Sequence, residues 1–344
     1  MKSQQISVTD LEHVLTHTGH LWSDVAGKTV LITGGTGFFG KWLLESFIYI
    51  NNKLQLDTKL YVLSRDPDRF TNAYPQFNNE AISYIKGDVS SFEAPDVALD
   101  YIIHAATDAN ATLIATEPLA MYDTIVNGTR HILEIGKQKN VKAILHTSSG
   151  AVYGKQTVTH VDEDDKGCPD IFDKNAAYGE GKRVAEMLSS FYYRQYGVQS
   201  KIARCFAFVG PYLPLNEHFA IGNFIGDAIS GRQINIKDGS PYRSYLYAAD
   251  LVIWLWTILI KGEPCRVYNV GSDEDITISD LAKMITMLAG DSMTDLPVST
   301  TANPNPGRYV PSVNRAKNEL NLGVYIPLKD ALQRTLDYNS HKVN

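Results

Sequence analysis

This sequence has few cysteines, no long apolar run and no excess of basic charge. The cysteines, Cys168, Cys205 and Cys265, include no C-x-x-C pair, so we expect free thiols in a reducing compartment and no metal site. The most apolar run, residues 251–260, is too short to cross a bilayer, and the N-terminal segment lacks the apolar core of a signal peptide. These absences predict a cytoplasmic protein that does not bind membranes.

The balance of charge excludes another class of partner. The chain of 344 residues carries 32 basic and 38 acidic residues, which gives a formal net charge of −6. Because such a chain has no overall positive field, we expect it not to bind nucleic acid. An anionic small molecule would need individual Arg or Lys side chains. With 44% hydrophobic residues, the chain can bury the core of one large domain or of two closely associated domains.

Runs of β-branched and apolar residues alternate with helical patterns through the first 205 residues. The expected strands lie at residues 28–33, 59–63, 81–86, 101–104, 143–147 and 200–204. The expected helices between them lie at residues 39–50, 116–139 and 176–196. This alternation predicts an α/β fold with a doubly wound, parallel Rossmann sheet.

The pattern also predicts how the chain divides. We expect a helical extension over residues 1–26, a dinucleotide-binding Rossmann domain over 27–205, and a smaller substrate-binding domain over 206–344, with a return to the first domain around 243–272. Proline and glycine punctuate the third part. Its expected elements are a buried helix at 251–260, a helix at 279–290, a Pro-rich loop at 304–311 and a terminal helix at 328–338.

A glycine-rich loop follows the first expected strand. Its sequence TGGTGFFG, from Thr33 to Gly40, satisfies G-x-G-x-x-G and G-x-x-G-x-x-G together. Glycine lets the backbone approach a pyrophosphate closely, and the next helix supplies free N–H groups. We therefore expect dinucleotide binding at Gly34, Gly37, Phe38, Phe39 and Gly40.

The end of the second strand bears on which dinucleotide binds. NAD enzymes place an acidic residue there for the ribose 2′-hydroxyl, whereas an Arg accommodates a 2′-phosphate. Ser64 stands in the acid's position and Arg65 follows it, which favours NADP over NAD. The alternative is a solvated turn in which Asp66 reaches the ribose. Asp88 and Val89, after the third strand, are expected to cover the adenine.

Two later segments carry groups suited to proton transfer. Tyr178 and Lys182 are four residues apart and share one helix face. A lysine ammonium beside a phenol should lower its pKa from about 10, which would make Tyr178 an acid or base toward a sugar or alcohol hydroxyl. A serine from the segment SSGAVYG, residues 148–154, could orient the same oxygen.

Taken together, these motifs resemble the extended short-chain dehydrogenase/reductase family, in its nucleotide-sugar epimerase/dehydratase branch. The resemblance runs from about Gly27 to the last helix. Its marks are TGGTGFFG, GDV at 87–89, HAAT at 104–107, NGT at 127–129, SSGAVYG, YGEGK at 178–182, RCFAFVGP at 204–211 and RSYLYAADL at 243–251.

The resemblance implies roles for further residues. It makes Ser149 the catalytic hydroxyl beside Tyr178 and Lys182, and Lys182 also contacts the cofactor. It implies a nucleotide-sugar substrate and a homodimer formed through the helices at 116–139 and 176–196. The remaining implied contacts are cofactor binding at Ala105, Ala106 and Thr107, a nicotinamide-side loop at Pro211, and substrate binding at Ser149, Tyr178, Asn223, Arg243 and Arg308.

Two departures from the family pattern narrow the chemistry. An Asp-Glu pair usually follows the catalytic hydroxyl in 4,6-dehydratases, and decarboxylases place a Glu there, but this chain has Gly150 and Ala151. Neither residue can move a proton at C5 or C6. The cysteine used by GDP-fucose-synthase-like enzymes falls on Ala151. His218 lies near that family's histidine, and it is either a possible acid or a packing histidine in a loop.

The leading hypothesis is an NAD(P)-dependent oxidoreductase acting at C4 of a nucleotide-activated sugar. In an epimerase, Tyr178 takes the proton of the 4-hydroxyl, hydride passes to the bound cofactor, and hydride returns to the other face of the ketosugar. In a reductase, NADPH reduces a 4-keto-6-deoxy sugar and Tyr178 supplies the proton. The alternatives are a nucleotide-sugar 4,6-dehydratase or decarboxylase, and a non-catalytic dinucleotide sensor.

Overall fold

The computed structural model describes residues 4–106, 116–217, 219–290 and 306–340. Its main sheet is built from β1 (Thr29–Thr33), β2 (Lys59–Ser64), β3 (Ile82–Lys86), β4 (Tyr101–His104), β5 (Ala143–Ser149), β6 (Ser200–Cys205) and β10 (Val267–Val270). The strands pair in parallel in the order β3-β2-β1-β4-β5-β6-β10. The strand order reverses between β1 and β4, where doubly wound folds bind their ligands. The predicted α/β class and the parallel Rossmann sheet are thus confirmed.

The described helices lie close to the expected positions. They are α1 (Val8–Thr18), α2 (Trp22–Val25), α3 (Phe38–Leu54), α4 (Pro67–Ala73), α5 (Pro118–Lys139), α6 (Ala176–Tyr196), α7 (Ala220–Ile229), α8 (Ala248–Lys261), α9 (Ile278–Leu288), α10 (Asn314–Leu320) and α11 (Leu328–Ser340). Sequence analysis did not predict α4, α7 or α10, which are short helices of seven to ten residues.

The middle of the main sheet is buried on both faces. Every residue of β4 and β5 is buried, as expected for parallel strands covered by helices on each side. Helix α8 is buried from Ala248 to Leu259 and packs against β5, β6 and α3. The apolar run at 251–260 is therefore a core helix. In the part of the chain that the structure describes, no helix is long and apolar enough to cross a membrane.

The C-terminal part forms a smaller layer beside the edge of the main sheet. Strand β8 (Tyr242–Ser244) pairs antiparallel with β11 (Asp275–Thr277) and parallel with β12 (Arg308–Tyr309). Strand β7 (Phe208–Val209) pairs with β9 (Leu246–Tyr247). Between these pairings the chain returns to the main sheet through β10. The expected loop at 304–311 was wrong at Arg308 and Tyr309, because β8 offers that short segment a backbone partner.

The N-terminal extension packs into the core. Helix α1 is capped by Ser7, whose Oγ accepts a hydrogen bond from the N–H of Asp10 at 3.1 Å. It contacts α3 and α8 and buries Leu11 and Val14. Its His13 Nε2 lies 2.9 Å from a carboxylate oxygen of Asp250 in α8. The extension is therefore attached by packing and by polar contacts.

Candidate active site

The glycine-rich loop has the close backbone contacts that its sequence predicts. Gly34 has φ of +72°, and a Cβ there would lie 2.5 Å from the carbonyl oxygen of Ala105. A Cβ on Gly40 would lie 2.2 Å from the backbone of Gly35. Gly37 is the N-cap of α3 and no side chain caps this end of the helix. Free N–H groups and a glycine surface therefore face outward here, which fits a dinucleotide pyrophosphate.

The aromatic pair of this loop has a packing role. Phe38 and Phe39 begin α3, with ring centroids 5.8 Å apart. Phe39 also packs edge-to-face on Phe208 of β7 at 5.0 Å. The loop is thereby joined to the strand that precedes the expected nicotinamide-side segment at Pro211.

At the end of β2, Ser64 is buried and its Oγ accepts a hydrogen bond from the N–H of Asp66 at 3.2 Å. The Asp66 carboxylate caps α4 by accepting from the N–H of Arg69 at 3.1 Å. Arg65 is exposed, and its charge lowers the pKa of Asp88 after the larger effect of hydrogen bonds from Ser90. Because Asp66 already caps a helix, it is less suited to the ribose than the alternative interpretation requires.

Asp88 and Val89 lie where the third strand ends. The Asp88 carboxylate accepts the N–H of Ser90 at 2.9 Å, which holds the turn. Val89 is buried, and a Cβ on Gly128 would lie 2.8 Å from its side chain. Gly128 of the NGT motif is thus needed for α5 to approach this strand end.

A buried histidine, His104, helps to position the segment that follows β4. His104 contacts Thr33 through Nδ1 at 2.8 Å and Thr129 through Nε2 at 3.1 Å. Burial lowers the pKa of His104 to about 3, so it is neutral. The Thr33 hydroxyl also accepts the N–H of Ala106 at 3.2 Å. This network positions Ala105 and Ala106 beside Gly34, and the predicted contact Thr107 lies outside the described residues.

The structure brings Ser149, Tyr178 and Lys182 together. Ser149 ends β5, and its Oγ accepts the N–H of Ala151 at 3.1 Å. Tyr178 and Lys182 lie in the first turns of α6, where the Ser149 hydroxyl is near enough to Tyr178 to lower the pKa of that phenol. The Lys182 ammonium donates to the Thr147 carbonyl at 2.7 Å and lies 6.0 Å from the centre of the Tyr178 ring.

The pKa of Tyr178 differs from the expectation. Burial raises the pKa of Tyr178 to about 12, against a smaller lowering by the hydrogen bond from Ser149. Burial lowers the pKa of Lys182 to about 8, while Cys205 and Glu186 act in the opposite direction. The expected lowering of the Tyr178 pKa is therefore wrong for this structure, because loss of hydration is the largest effect on this phenol.

A half-buried ion pair between Glu186 and Arg204 lies next to this site. Glu186, one turn after Lys182, accepts hydrogen bonds from Arg204 Nε at 3.0 Å and Arg204 Nη2 at 2.7 Å. The same carboxylate accepts from the Ser148 hydroxyl. Arg204 also lies over the ring of Tyr153, 4.6 Å from its centre. These contacts fix α6 against β5 and β6, and sequence analysis did not predict them.

An aromatic ring, that of Phe206, occupies the space beside Gly150, the residue after Ser149. A Cβ on Gly150 would lie 2.7 Å from two carbons of the Phe206 ring. Phe206 follows β6 and packs against Tyr309, with ring centroids 4.7 Å apart. Phe206 thus occupies the space that a larger side chain at position 150 would need. Within the described residues, an acid at this position is therefore both absent and sterically blocked.

Tyr309 is a site residue that sequence analysis missed. Its hydroxyl lies 3.4 Å from Ser149 Oγ. It comes from β12, where it pairs in register with Arg243 of β8. No sequence signal identified it, because Ser149 and Tyr309 are 160 residues apart and meet only through the pairing of β8 with β12.

The two predicted diphosphate-binding arginines lie on opposite faces of the small sheet. Arg243 pairs with Tyr309, and its charge acts on the Tyr309 hydroxyl. Side chains alternate along a strand, so Arg308 lies on the other face, over the ring of Tyr242 and in an ion pair with Asp275. The structure thus places Arg243 on the side of Ser149 and places Arg308 away from it.

Another predicted residue, Asn223, is not brought into this cluster. Asn223 is half-buried on α7, a helix that contacts α9 and α11. His218 lies outside the described residues. In the part of the chain that the structure describes, no group of three or more His, Cys, Asp or Glu residues could hold a metal ion.

The chain is similar to proteins of one enzyme family. The model of the NAD-dependent epimerase/dehydratase family matches residues 30–271. UDP-glucuronic acid decarboxylase 1 of Danio rerio is 29% identical over 317 residues, which cover 92% of this chain and 73% of that protein.

Solved structures share the fold. UDP-glucose 4-epimerase of Thermotoga maritima, solved with UDP-glucose, superposes with a TM-score of 0.78 at 21% identity and covers 92% of this chain and 100% of that one. DesIV of Streptomyces venezuelae, a dTDP-glucose 4,6-dehydratase solved with NAD and TYD, superposes with a TM-score of 0.77 at 20% identity. The DesIV match covers 91% of this chain and 97% of that one.

Proposed function

We propose that this chain, a member of the NAD-dependent epimerase/dehydratase family, oxidises or reduces C4 of a nucleotide-activated sugar. Family membership rests on the match over residues 30–271. The finer assignment rests on the site: a serine, a half-buried tyrosine and a lysine meet at the carboxyl end of β5, at the same edge of the sheet as the glycine-rich loop after β1. A non-catalytic sensor would need none of these three side chains.

Each residue has a role in this proposal. When bound, the nicotinamide accepts or returns hydride at C4. Tyr178 takes the proton from the C4 hydroxyl or gives it back, and Ser149 holds the same oxygen. Lys182 is fixed by the Thr147 carbonyl at 2.7 Å and lies 6.0 Å from the centre of the Tyr178 ring; its positive charge would stabilise the phenolate when Tyr178 loses its proton, against the effect of burial. Arg243 is proposed to hold the diphosphate through its planar, charged fork.

The observation that best supports C4 chemistry is the position of the Phe206 ring, which occupies the space beside Gly150. Elimination across C5 and C6, or loss of a carboxylate, is assisted in other members of the family by an acidic side chain after the catalytic hydroxyl. Here Gly150 is blocked by that ring, and Ala151 is the residue that follows. The remaining groups suffice for hydride and proton transfer at one carbon. They support an epimerase or a 4-ketosugar reductase.

The test is turnover on a panel of nucleotide sugars. UDP-glucose, UDP-glucuronic acid, dTDP-glucose and a dTDP-4-keto-6-deoxy sugar would be incubated with NAD(P)+ or NADPH, and the products identified by NMR. Inversion at C4, or reduction of the ketosugar, would support the proposal. Formation of a 4-keto-6-deoxy sugar from dTDP-glucose would contradict it.

Decarboxylation of UDP-glucuronic acid is the second candidate, and the names of the sequence relatives favour it. A β-keto acid formed by oxidation at C4 can lose carbon dioxide without an acidic residue at position 150 or 151. Release of carbon dioxide from UDP-glucuronic acid, at a rate above that of C4 inversion on UDP-glucose, would replace our assignment with this one.

We propose NADP(H) as the preferred cofactor. Ser64 carries no charge that would repel a 2′-phosphate, Arg65 can pair with one, and Asp66 is engaged in capping α4. Solved relatives in the fold were obtained with NAD, so direct titration of both cofactors decides between them.

We also propose a homodimer formed through α5 and α6. Met187 and Phe191 lie one turn apart on α6 and are about half exposed, and Leu119 of α5 is 78% exposed. Apolar side chains in such a patch would be buried by the same patch on a second copy. Light scattering should show a dimer, and Phe191→Glu should convert it to a monomer.

A further inference from the structure

Ser149 lies between two phenols. The hydroxyl of Tyr309 lies 3.4 Å from Ser149 Oγ, and the same serine is near enough to Tyr178 to act on that phenol. The N–H of Ala151 donates to Ser149 Oγ at 3.1 Å. A serine hydroxyl has one hydrogen to donate and two lone pairs that accept. Ala151 occupies one lone pair, so one acceptor position remains.

Tyr309 is held firmly enough to fill that position. The backbone around it is clamped by Gln156, whose Oε1 accepts the N–H of Val310 at 2.9 Å and whose Nε2 donates to the Val310 carbonyl at 3.0 Å. The Val310 carbonyl also accepts the N–H of Val161 at 3.1 Å. On the other side the Tyr309 ring packs on Phe206. The ring therefore reaches Ser149 from a fixed backbone.

We propose that Tyr309 is a positioning residue, which donates its hydroxyl hydrogen to Ser149 and thereby directs the single hydrogen of Ser149 toward Tyr178 and the sugar oxygen. The resulting chain of donors runs from Tyr309 to Ser149 to Tyr178. It stabilises the Tyr178 phenolate, because the phenolate then receives a hydrogen bond from Ser149. The competing acceptor for Tyr309 is the Cys205 carbonyl at 3.5 Å, which is slightly more distant. The inference rests on the proposed function of Tyr178.

The test compares the pKa of Tyr178 in the wild type and in Tyr309→Phe. Phenylalanine keeps the ring on Phe206 and removes only the hydroxyl. Tyrosine labelled with ¹³C at Cζ would be titrated by NMR in the full chain, with and without NAD+, and the Tyr178 signal assigned with Tyr178→Phe. We expect the pKa of Tyr178 to rise by roughly half a unit to one unit in Tyr309→Phe, as loss of one neutral hydrogen bond implies.

Two controls distinguish positioning from a general structural effect. Tyr101→Phe removes another buried phenol, one that donates to the Asp24 carbonyl at the far end of β4, and it should leave the pKa of Tyr178 unchanged. In a Ser149→Ala background, Tyr309→Phe should cause no further change, since its effect passes through Ser149. Additive shifts in that double variant would overturn the proposal, as would an unchanged pKa in Tyr309→Phe alone.

The kinetic readout separates this inference from the proposed function. With a substrate that turns over, Tyr309→Phe should lower kcat about 3- to 10-fold and leave KM unchanged. It should also move upward in pH the limb of the kcat profile that reports Tyr178, which is the acidic limb for oxidation and the alkaline limb for reduction. A rise in KM with an unchanged pH profile would mean that Tyr309 contacts the sugar instead. Because the NMR titration needs no turnover, failure of every sugar on the panel would remove the proposed function and leave the titration decisive for Tyr309.

Discussion

Replacing Glu45 by glutamine should stabilise the protein above neutral pH and have little effect in mild acid. Glu45 lies on α3, is only 6% exposed, and links the N-terminal extension to the core. One carboxylate oxygen accepts the N–H of Ile6 at 2.8 Å, and the other accepts the Tyr212 hydroxyl at 2.6 Å. Glutamine keeps the shape and the acceptor for Ile6, while Tyr212 can donate to the Gln4 carbonyl at 3.1 Å instead.

The magnitude follows from the pKa of the buried carboxyl group. Burial raises the pKa of Glu45 from 4.5 to about 7, against smaller lowering effects of the Tyr212 and Ile6 hydrogen bonds. Below the lower value both the folded and the unfolded states are protonated. Between the two values only the folded state keeps the proton, so the free energy of unfolding falls as pH rises. The full penalty, above pH 7, is about 1–3 kcal/mol.

The assay is denaturant unfolding of the wild type and Glu45→Gln at a series of pH values from about 5 to 8. Taking the difference between the two proteins cancels the titration of the groups that they share. Glu12→Gln is the matched control, because the exposed Glu12 carboxylate accepts from Lys53 and Tyr49 and its pKa is lowered. Its substitution should not stabilise the protein at any pH. A difference between wild type and Glu45→Gln that stays constant across this range would refute the reasoning.

Three further predictions concern the proposed site. Tyr178→Phe should fold and bind cofactor normally but lose at least about 10²-fold in turnover, as loss of an acid–base group implies; near wild-type rates would exclude Tyr178 from proton transfer. Arg243→Ala should raise KM for the nucleotide sugar by about 10- to 100-fold through loss of a charged, bidentate contact, and an unchanged KM would place the diphosphate elsewhere. Ser64→Asp should reverse a preference for NADP(H), which added salt should weaken in the wild type; calorimetric titration showing equal or tighter NAD binding by the wild type would overturn the assignment and favour an epimerase.

Local patterns were sufficient for the parallel sheet and for the positions of the first six strands. Buried parallel strands tend to be apolar, and β4 and β5, which are buried throughout, begin with Tyr-Ile-Ile and Ala-Ile-Leu. Strand β10 was not predicted as a strand, although it completes the sheet beside β6. It has only four residues and follows a long helix, so a short apolar segment there gives little sign of its partner.

The site was predictable where its residues are close in sequence. Tyr178 and Lys182 are related by helix geometry, and the glycine loop by the turn between β1 and α3, so both could be inferred from spacing. The pKa of Tyr178 could not, because it depends on burial, which raises it to about 12. Spacing predicts the neighbour of a phenol but carries no information about the water around it.

The position after Ser149 shows what spacing leaves out. In the sequence, Gly150 and Ala151 indicate only that the acidic residues of dehydratases and decarboxylases are absent here. In the structure, a Cβ on Gly150 would lie 2.7 Å from the Phe206 ring, and that ring is packed against Tyr309. A carboxylate at position 150 would have to displace Phe206, and displacing it would disturb the tyrosine that faces Ser149 at 3.4 Å. The glycine, the phenylalanine and the tyrosine are therefore linked by packing, so that a larger side chain at position 150 would act on Tyr309 as well.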